Sequence, residues 1–363
     1  MQRMPQGKPR LIFASHLDAL ALQHMLLHQG VLEQLVAEHY GLALAMFELN
    51  DALADVVRQV QARGVYLVAR LMLPLDEGVW LNLQNYPQAI ERYQRLQSWA
   101  QTNELSFDAI GLQIEPPASE LANIQQWGLH DVARRLWLAR ENILYPAAHA
   151  AYTDLINQMH RDGYEVHTYQ LPVIADDHRA GTTLVQRALD IADLPSDLEV
   201  LMCYSSLTVE SLGVDIGSAL INSYGPSADS IAVGNTEAST TPGNQPPDRT
   251  PPALLWEVLQ RDLLLAANHT DTIYVFSLEG CVERQLLPAI AAIDWSSEPT
   301  LPVPRRMLVS TLRGMLLVVL LVARFSRSIF SWLGWLLALL LLLRQWRQRR
   351  PDTHQQPDEQ NKL

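Results

Sequence analysis

Two polar side chains alternate at the end of an otherwise apolar run in the stretch "DAIGLQIEPP", residues 108 to 117. Side chains on a β-strand point alternately to opposite faces, so Gly111, Gln113 and Glu115 share one face. A carboxyl group at the rim of such a face can act as a general acid when a second, ionised carboxylate stabilises the positive charge that develops on the reacting group. Glu115 is therefore the first candidate for a catalytic residue.

Other apolar runs also end in polar residues, and these are candidates for the rest of a site. Glu279 and Glu48 are the candidate catalytic partners of Glu115, because neighbouring carboxylates raise the pKa of at least one member. Candidate substrate-binding residues are Gln113, Tyr204, Asn235, Trp80 and Gln170. Trp80, in the "LDEGVWLN" loop, is the best placed of the tryptophans to stack on a sugar. Arg70 is the only charged residue in the middle of a predicted strand, and we expect it to be structural and paired, with Glu115 as one possible partner.

These residues need a scaffold, and the first 300 residues predict one. Eight β-rich runs alternate with helical runs. The β-rich runs lie at residues 11–16, 42–49, 65–73, 109–115, 165–173, 200–206, 230–237 and 273–280. Asn50 can cap a helix whose apolar residues fall on one face, and Gly64 can end it. The alternation predicts an α/β fold with a parallel sheet, first a (β/α)8 TIM barrel and second an open doubly wound sheet. In such a barrel the reactive groups lie at the C-terminal ends of the strands.

The fourth strand resembles a known motif. Family 18 glycoside hydrolases carry D-G-x-D-x-D-x-E there, and Asp108 and Glu115 stand at the first and last of these acidic positions, whereas Gly111 and Gln113 replace the two between them. "MCYS", residues 202 to 205, similarly resembles the M-x-Y-D of strand six in that family. The resemblance implies a barrel that acts on a carbohydrate with Glu115 as the acid. Glu115-Pro116 also resembles the acid/base segment of clan A glycosidases, whose nucleophile comes from strand seven, where Asn235 and Glu237 stand.

Charge and cysteine content exclude some classes of function. The chain holds 27 Lys and Arg against 39 Asp and Glu, yet residues 301–363 hold ten against three. The first 300 residues are thus strongly acidic and would repel phosphate backbones, which argues against a nucleic-acid partner. Cys203 and Cys281 form neither a metal motif nor a disulfide framework. We expect no metal and no cofactor.

The C-terminal part predicts a membrane anchor. Residues 1–300 form the barrel, residues 301–343 a transmembrane helical hairpin with apolar helices at about 307–323 and 328–343, and residues 344–363 a basic, then polar, disordered tail. The arginines around the hairpin place the barrel on the cytoplasmic side, and the N-terminus shows no stretch of the signal-peptide type. A single span whose first apolar run lies in the membrane interface and a buried soluble hairpin are the alternatives.

The sequence thus supports two functions. The first is a membrane-anchored, glycoside hydrolase-like barrel that acts on a carbohydrate or glycoconjugate by carboxylate acid/base catalysis. The second is a non-catalytic barrel that binds a glycan or serves as a scaffold at the membrane. The separation between Glu115 and a second carboxylate distinguishes them.

Overall fold

Eight parallel strands close into a barrel in which each strand pairs with the next and the last pairs with the first. The computed structural model describes residues 7–117, 120, 129–206, 215–236, 254–299 and 303–348. The strands are β1 (Arg10–Ser15), β2 (Gly41–Met46), β3 (Leu67–Leu71), β4 (Ala109–Gln113), β5 (Glu165–Gln170), β6 (Leu198–Met202), β7 (Ser230–Gly234) and β8 (Thr272–Phe276). The prediction of a (β/α)8 barrel is confirmed.

Helices follow the strands and cover the outside of the barrel. They are α1 (Ala19–Gln23), α2 (Val31–Ala37), α3 (Asp51–Ala62), α4 (Tyr86–Thr102), α5 (Leu129–Leu138), α6 (Leu144–Arg161), α7 (Ile174–Ala180), α8 (Leu184–Ala188), α9 (Gly217–Tyr224), α10 (Trp256–Ala267), α11 (Leu278–Glu283), α12 (Leu287–Ala291) and α13 (Val303–Gln348). A π-helical turn, His24–His28, extends α1, and 3-10 turns lie at Leu75–Glu77, Ala139–Glu141 and Gly225–Ser227.

Local signals set the ends of these elements. The side chain of Asn50 accepts a hydrogen bond from the backbone N–H of Leu53 at 2.9 Å, which caps α3 as predicted. Gly64, at φ +69°, follows the same helix in the left-handed conformation that glycine adopts without strain. The predicted strands run past the observed C-terminal ends by up to four residues. The polar residues at those ends belong to loops or helix starts, as Ser277 shows by capping α11.

The alternation of side chains divides the core into two parts. Inside the barrel lie small and aromatic residues such as Ala14, Ala43, Tyr169 and Tyr274. A larger cluster fills the space between the strands and the helices. Whether a residue at the end of a strand points into the barrel or toward the helices therefore follows from its position relative to these residues.

The C-terminal segment differs from the prediction. The structure has one continuous helix, α13, where the sequence predicted two helices joined by a turn, so the hairpin is wrong. The polar residues that suggested a turn instead bind the barrel: Arg324 donates to the carbonyl of Ala180 at 2.7 Å, and Arg140 donates to the carbonyl of Ala323 and, at 2.8 Å, to the hydroxyl of Ser326. The disordered tail predicted from residue 344 is helical as far as residue 348, and residues 349–363 lie outside the described part of the chain.

Two stretches of α13 are strongly apolar. Arg305–Ser326 is long and apolar enough to cross a membrane, with a mean hydropathy of 2.0, and Ser331–Trp346 is a shorter apolar stretch. At 1.5 Å per residue the 46-residue helix is about 69 Å long, much longer than a bilayer core is thick. Only part of α13 could therefore cross a membrane.

An ion pair fixes the first half of α13 to the barrel. The guanidinium of Arg313 donates to the Oδ1 atom of Asp176 at 2.8 and 3.0 Å and to the hydroxyl of Ser223 at 2.9 Å. It also lies 3.7 Å from the centre of the Tyr224 ring, and the Tyr224 hydroxyl donates to the other oxygen of Asp176 at 2.7 Å. Asp176 is 1% exposed, so its charge has to be compensated by these partners.

Replacing Arg313 should therefore destabilise the fold. We expect Arg313→Met to lower the free energy of unfolding by roughly 3–5 kcal/mol, because it leaves the Asp176 carboxylate buried without its counter-charge. Arg306→Met, a matched change at an exposed arginine of the same helix, should have little effect. Chemical unfolding of the full chain in detergent measures both. The double variant Asp176→Asn, Arg313→Met should recover part of the lost free energy of unfolding. We call the Arg313–Asp176 ion pair the clamp, and equal losses of stability for Arg306→Met and Arg313→Met would contradict it.

Candidate active site

The predicted acid of strand four lies at the mouth of the barrel. Gly111 and Gln113 lie on β4, in register with Arg70 of β3 and Tyr169 of β5 respectively, on the face that points into the barrel. Gln113 is buried, and its side-chain amide nitrogen donates to the Oε1 atom of Glu115. The backbone N–H of Glu115 donates to the carbonyl of Leu81 at 3.0 Å, which ties the end of β4 to the loop that carries Trp80.

Arg70 occupies the centre of this end of the barrel. Its side chain is 0% exposed, and its guanidinium donates to the side-chain oxygen of Gln113 and contacts the Nε2 atom of His16 at 2.8 Å. It also lies 4.6 Å from the centre of the Phe276 ring and 5.3 Å from that of Tyr169. The expectation that Arg70 needs a buried partner is met by two neutral hydrogen-bonding groups and two aromatic faces.

The same packing explains the glycine in the strand-four motif. A Cβ atom on Gly111 would lie 2.8 Å from Cε2 of Tyr169 and 3.0 Å from Cγ of Arg70. The first contact is closer than real Cβ atoms show and the second is tight, because Arg70 and Tyr169 hold the space that a larger side chain would need. A side chain at position 111 would therefore have to displace one of these two residues.

His16 links the arginine to a second carboxylate. Burial lowers the pKa of His16 well below its ordinary value, and the positive charge of Arg70 lowers it further. A neutral imidazole accepts at one nitrogen, and Arg70 can only donate, so Nε2 is the acceptor and the ring proton lies on Nδ1. The backbone N–H of His16 donates to Oε1 of Glu279 at 2.7 Å. Contacts thus run from Glu115 through Gln113, Arg70 and His16 to Glu279.

The environment of Glu115 suits a proton donor. Burial raises the pKa of Glu115 above its ordinary value, although the hydrogen bond from Gln113 and the charge of Arg70 act in the opposite direction. The carboxyl group therefore keeps its proton to a higher pH than an exposed glutamate does. This is the protonation state that a general acid requires.

Aromatic residues surround the polar groups. The Tyr204 ring packs edge-on against Phe276 at 5.4 Å, and its buried hydroxyl has no hydrogen-bond partner among the described residues. The Trp80 ring lies 6.4 Å from the imidazole of His16. A phenol without a partner and a half-exposed indole at the mouth are groups with which a polar ligand could form contacts.

Two of the predicted site residues lie elsewhere. Ala43 and Ala45 lie on the inward face of β2, whereas Met46 lies on the opposite face, toward the helices. Glu48 comes two residues after Met46 and therefore stands on the helix side. Its exposed carboxylate accepts a hydrogen bond from the Asn50 amide at 3.0 Å. Gln170 lies next to the inward Tyr169 and donates to Asp193, at 3.2 Å, on the helix side of β5. The structure thus places Glu48 and Gln170 on the helix side of their strands, and their catalytic and substrate-binding roles stay predictions.

Asn235 and Glu237 follow β7. The backbone N–H of Asn235 donates to the hydroxyl of Ser206 at 2.7 Å, and the residue is half-buried at the end of the strand. Glu237 lies outside the described residues, as do the segments 118–119, 121–128, 207–214 and 238–253, which come after β4, β6 and β7 in the chain. The substrate-binding role of Asn235 stays a prediction.

Sequence reasoning missed two members of the site. His16 was not among the candidate site residues, and Arg70 was expected to be structural, yet both belong to the contacts around Glu115. The signal for Arg70 was its charge in the middle of an apolar strand, because such a charge must face polar partners inside the barrel. His16 stands directly after β1, where barrel sites form.

Among the residues that the structure describes, no group of three or more His, Cys, Asp or Glu side chains is placed to hold a metal ion. The arrangement at the mouth, with a buried guanidinium that contacts His16 and Gln113, also differs from a metal site, because a fixed positive charge would repel a cation. The absence of a cofactor stays a prediction.

The sequence matches no protein-family model and no curated protein. Three solved barrels illustrate what the fold resembles. The first is the glycoside hydrolase domain of PgaB (BpsB) from Bordetella bronchiseptica, with 13% identity over 81% of this chain and 100% of that chain and a TM-score of 0.47. The second is Saccharomyces cerevisiae Gas2p in complex with laminaritriose and laminaritetraose, with 12% identity over 75% of this chain and 57% of that chain and a TM-score of 0.40. The third is D-psicose 3-epimerase with D-tagatose from Clostridium cellulolyticum H10, with 11% identity over 79% of this chain and 98% of that chain and a TM-score of 0.39. At these identities and scores, the function has to be argued from this chain's own side chains.

The electrostatic role of Arg70 can be tested by its effect on two neighbours. Its positive charge disfavours the imidazolium of His16 and favours the carboxylate of Glu115, so its removal should raise both pKa values. We expect Arg70→Met to shift both upward, whereas Arg70→Lys, which keeps the charge, should leave them near their wild-type values. NMR titration of labelled histidine and glutamate side chains measures the shifts. Arg58→Met, an exposed change on α3, is the control, and circular dichroism shows whether each variant is folded. Unmoved pKa values in a folded Arg70→Met variant would exclude the guanidinium as their cause.

Proposed function

We propose that this protein is a membrane-attached, glycoside hydrolase-like enzyme that acts on a carbohydrate or glycoconjugate with Glu115 as the general acid. The observation that carries the proposal is the position and environment of Glu115. Its side chain lies at the mouth of a closed (β/α)8 barrel, burial raises its pKa, and Gln113 orients the carboxyl group by a hydrogen bond. A carboxyl group held protonated in this way can donate its proton to the leaving oxygen of a glycosidic bond.

Glu279 is the proposed anionic partner. Its carboxylate is held by the backbone N–H of His16, whose ring contacts the same arginine that orients Gln113. In a glycosidase the second carboxylate either attacks the sugar or activates a water molecule, and the separation of the two carboxyl groups decides which. Arg70 lies between them and would stabilise negative charge on either carboxylate as the proton moves.

The family 18 mechanism gains no support from the contacts of Gln113. In that family the residue at this position orients the N-acetyl group of the substrate. Here the oxygen of Gln113 accepts from Arg70 and its nitrogen donates to Glu115, so both ends of the amide are engaged within the protein. We therefore propose that Gln113 positions the acid, and that Tyr204 and Trp80 contact the sugar.

A non-catalytic barrel that binds a glycan or acts as a scaffold is the second candidate. It is favoured by Arg70, which fills the interior where the family 18 motif places acidic side chains, and by the distance in sequence and structure of Glu48 from the mouth. In this case Tyr204 and Trp80 would still bind a sugar, but Glu115 would serve only to compensate the arginine. A Glu115 variant that no longer hydrolyses the carbohydrate but still binds it would favour the enzyme over the non-catalytic barrel.

We also propose that α13 attaches the protein to a membrane, with the barrel on the cytoplasmic side. The support is the exposed apolar surface of Ser331–Trp346, which carries Leu336, Leu340 and other leucines around the whole helix. Such a surface is far more stable in lipid than in water. Flotation of the full chain with vesicles tests the attachment. Protease added to intact cells should spare the barrel, and digestion from outside would place it on the other side.

Replacing the proposed acid should abolish catalysis. Products released from a panel of laminari-, cello- and chito-oligosaccharides identify a substrate, and we expect Glu115→Gln to lower kcat on it by roughly 10²–10⁴-fold, because the amide cannot donate a proton to the leaving oxygen. Wild-type activity should fall as the pH rises through the raised pKa of Glu115, since only the protonated form donates. This limb of the pH profile should be missing in the variant.

Glu48→Gln is the matched control, because it makes the same change at an exposed glutamate on the helix side of β2. It should retain wild-type kcat. Equal activity of the Glu115→Gln variant and the wild type would remove Glu115 from the mechanism. Sugar binding by both proteins without any turnover would establish the non-catalytic barrel.

A further inference from the structure

The first half of α13 has two opposite faces. One face packs on α7 and α9 through Val309, Leu320 and Arg313, which are buried or nearly so. The other face, which we call the outer face, consists of apolar side chains on the opposite side of the helix that are at least half exposed: Met307, Leu312, Met315, Val318, Val322 and Phe325. Each of the arginines of this half whose contacts are described, Arg305, Arg313 and Arg324, binds the barrel side. An apolar face of this length needs a partner.

A second apolar surface, the α5–α6 patch, lies on the barrel itself. It comprises Trp137 and Leu138 at the end of α5 and Ile143 and Leu144 at the start of α6, and Ile143 is 86% exposed. Arg140 joins this patch to α13, because its guanidinium stacks 4.6 Å from the centre of the Trp137 ring and binds Ala323 and Ser326. The patch therefore lies beside the C-terminal end of the outer face.

Basic side chains border these apolar surfaces. Arg179 of α7 and Arg306 of α13 line one cleft with Ser310, and Arg324 is exposed near the other end of the outer face. Arginine at the edge of an apolar surface matches the anionic and zwitterionic headgroups that border the hydrocarbon of a bilayer, and tryptophan is enriched at the same depth. The exposed His178 and Arg179 of α7 show that the barrel beside α13 is not itself suited to immersion in hydrocarbon.

We propose that the outer face of α13 and the α5–α6 patch rest together on the surface of a lipid bilayer, so that the barrel lies side-on against the membrane. The proposal rests on the membrane attachment proposed above and adds a lipid-contacting surface on the barrel. A bilayer fits better than a protein partner because the outer face continues directly into Ser331–Trp346, which is apolar around its whole circumference. The clamp at Arg313 keeps the first half of α13 on the barrel, so this half lies in the interface while the second half enters the lipid.

Single-cysteine labelling tests this orientation. Cys203 and Cys281 are fully buried, so a spin label attached to an introduced cysteine reports one site. The full chain carries Ile143→Cys or Met315→Cys and is reconstituted with vesicles of phosphatidylcholine and phosphatidylglycerol. Leu20→Cys is the matched control, because Leu20 is also an apolar side chain that is 72% exposed. It lies on α1, which follows β1, whereas α13 packs on the helices after β5 and β6.

Collision with oxygen and with a water-soluble nickel chelate gives the depth of each label. We expect the labels at 143 and 315 to gain oxygen accessibility and lose nickel accessibility on binding vesicles, and the label at 20 to stay accessible to nickel. Flotation of the protein with a water-exposed label at 143 would overturn the side-on orientation and leave the membrane attachment standing. Failure to float would overturn both. Spin–spin broadening between labels at 315 of different molecules in vesicles would show that a second copy covers this surface instead.

Discussion

A positive charge sealed inside the barrel is the constraint on which the candidate site depends. A guanidinium taken out of water costs several kcal/mol unless it is compensated. Two of the Arg70 nitrogens contact His16 and Gln113 and two aromatic faces lie beside the group, whereas its Nε atom has no hydrogen-bond partner among the described residues. Arg70 explains why position 111 is a glycine, because a larger side chain has no room there. It also explains why position 113 carries an amide. An amide accepts from the arginine and donates to Glu115 at the same time, whereas a carboxylate could only accept and would repel Glu115.

Arg70 and Arg313 are compensated differently. Arg313 faces the formal negative charge of Asp176, so its field is largely cancelled where it arises. Arg70 faces neutral groups, so its field extends across the mouth and acts on the pKa values of both His16 and Glu115. The first arrangement suits a joint between two parts of the fold. The second suits a site in which charges develop and move.

The fold was predictable because its signals are repeated eight times. Alternating strands and helices, the Asn50 cap and the turn glycine at position 64 each follow from local chemistry, and the shared face of Gln113 and Glu115 follows from strand alternation. Glu48 shows the limit of that reasoning, since alternation gives two faces and the sequence does not say which is inside. The contacts of Arg70 with His16 join residues 54 positions apart, and the continuity of α13 depends on carbonyl groups of the barrel. Neither can be read from a local pattern.

The clamp between Arg313 and Asp176 also orders the way the protein is made. The N-terminal part of a chain emerges first from the ribosome, so α7 and α9 are complete before their counterpart in α13 exists. Until residue 313 emerges, Asp176 and the Tyr224 hydroxyl have no cation to face. A shortened chain that ends near residue 300, the obvious choice for a soluble preparation, would stop permanently at this stage. The long helix is therefore the last described helix to be synthesised as well as the proposed attachment to the membrane.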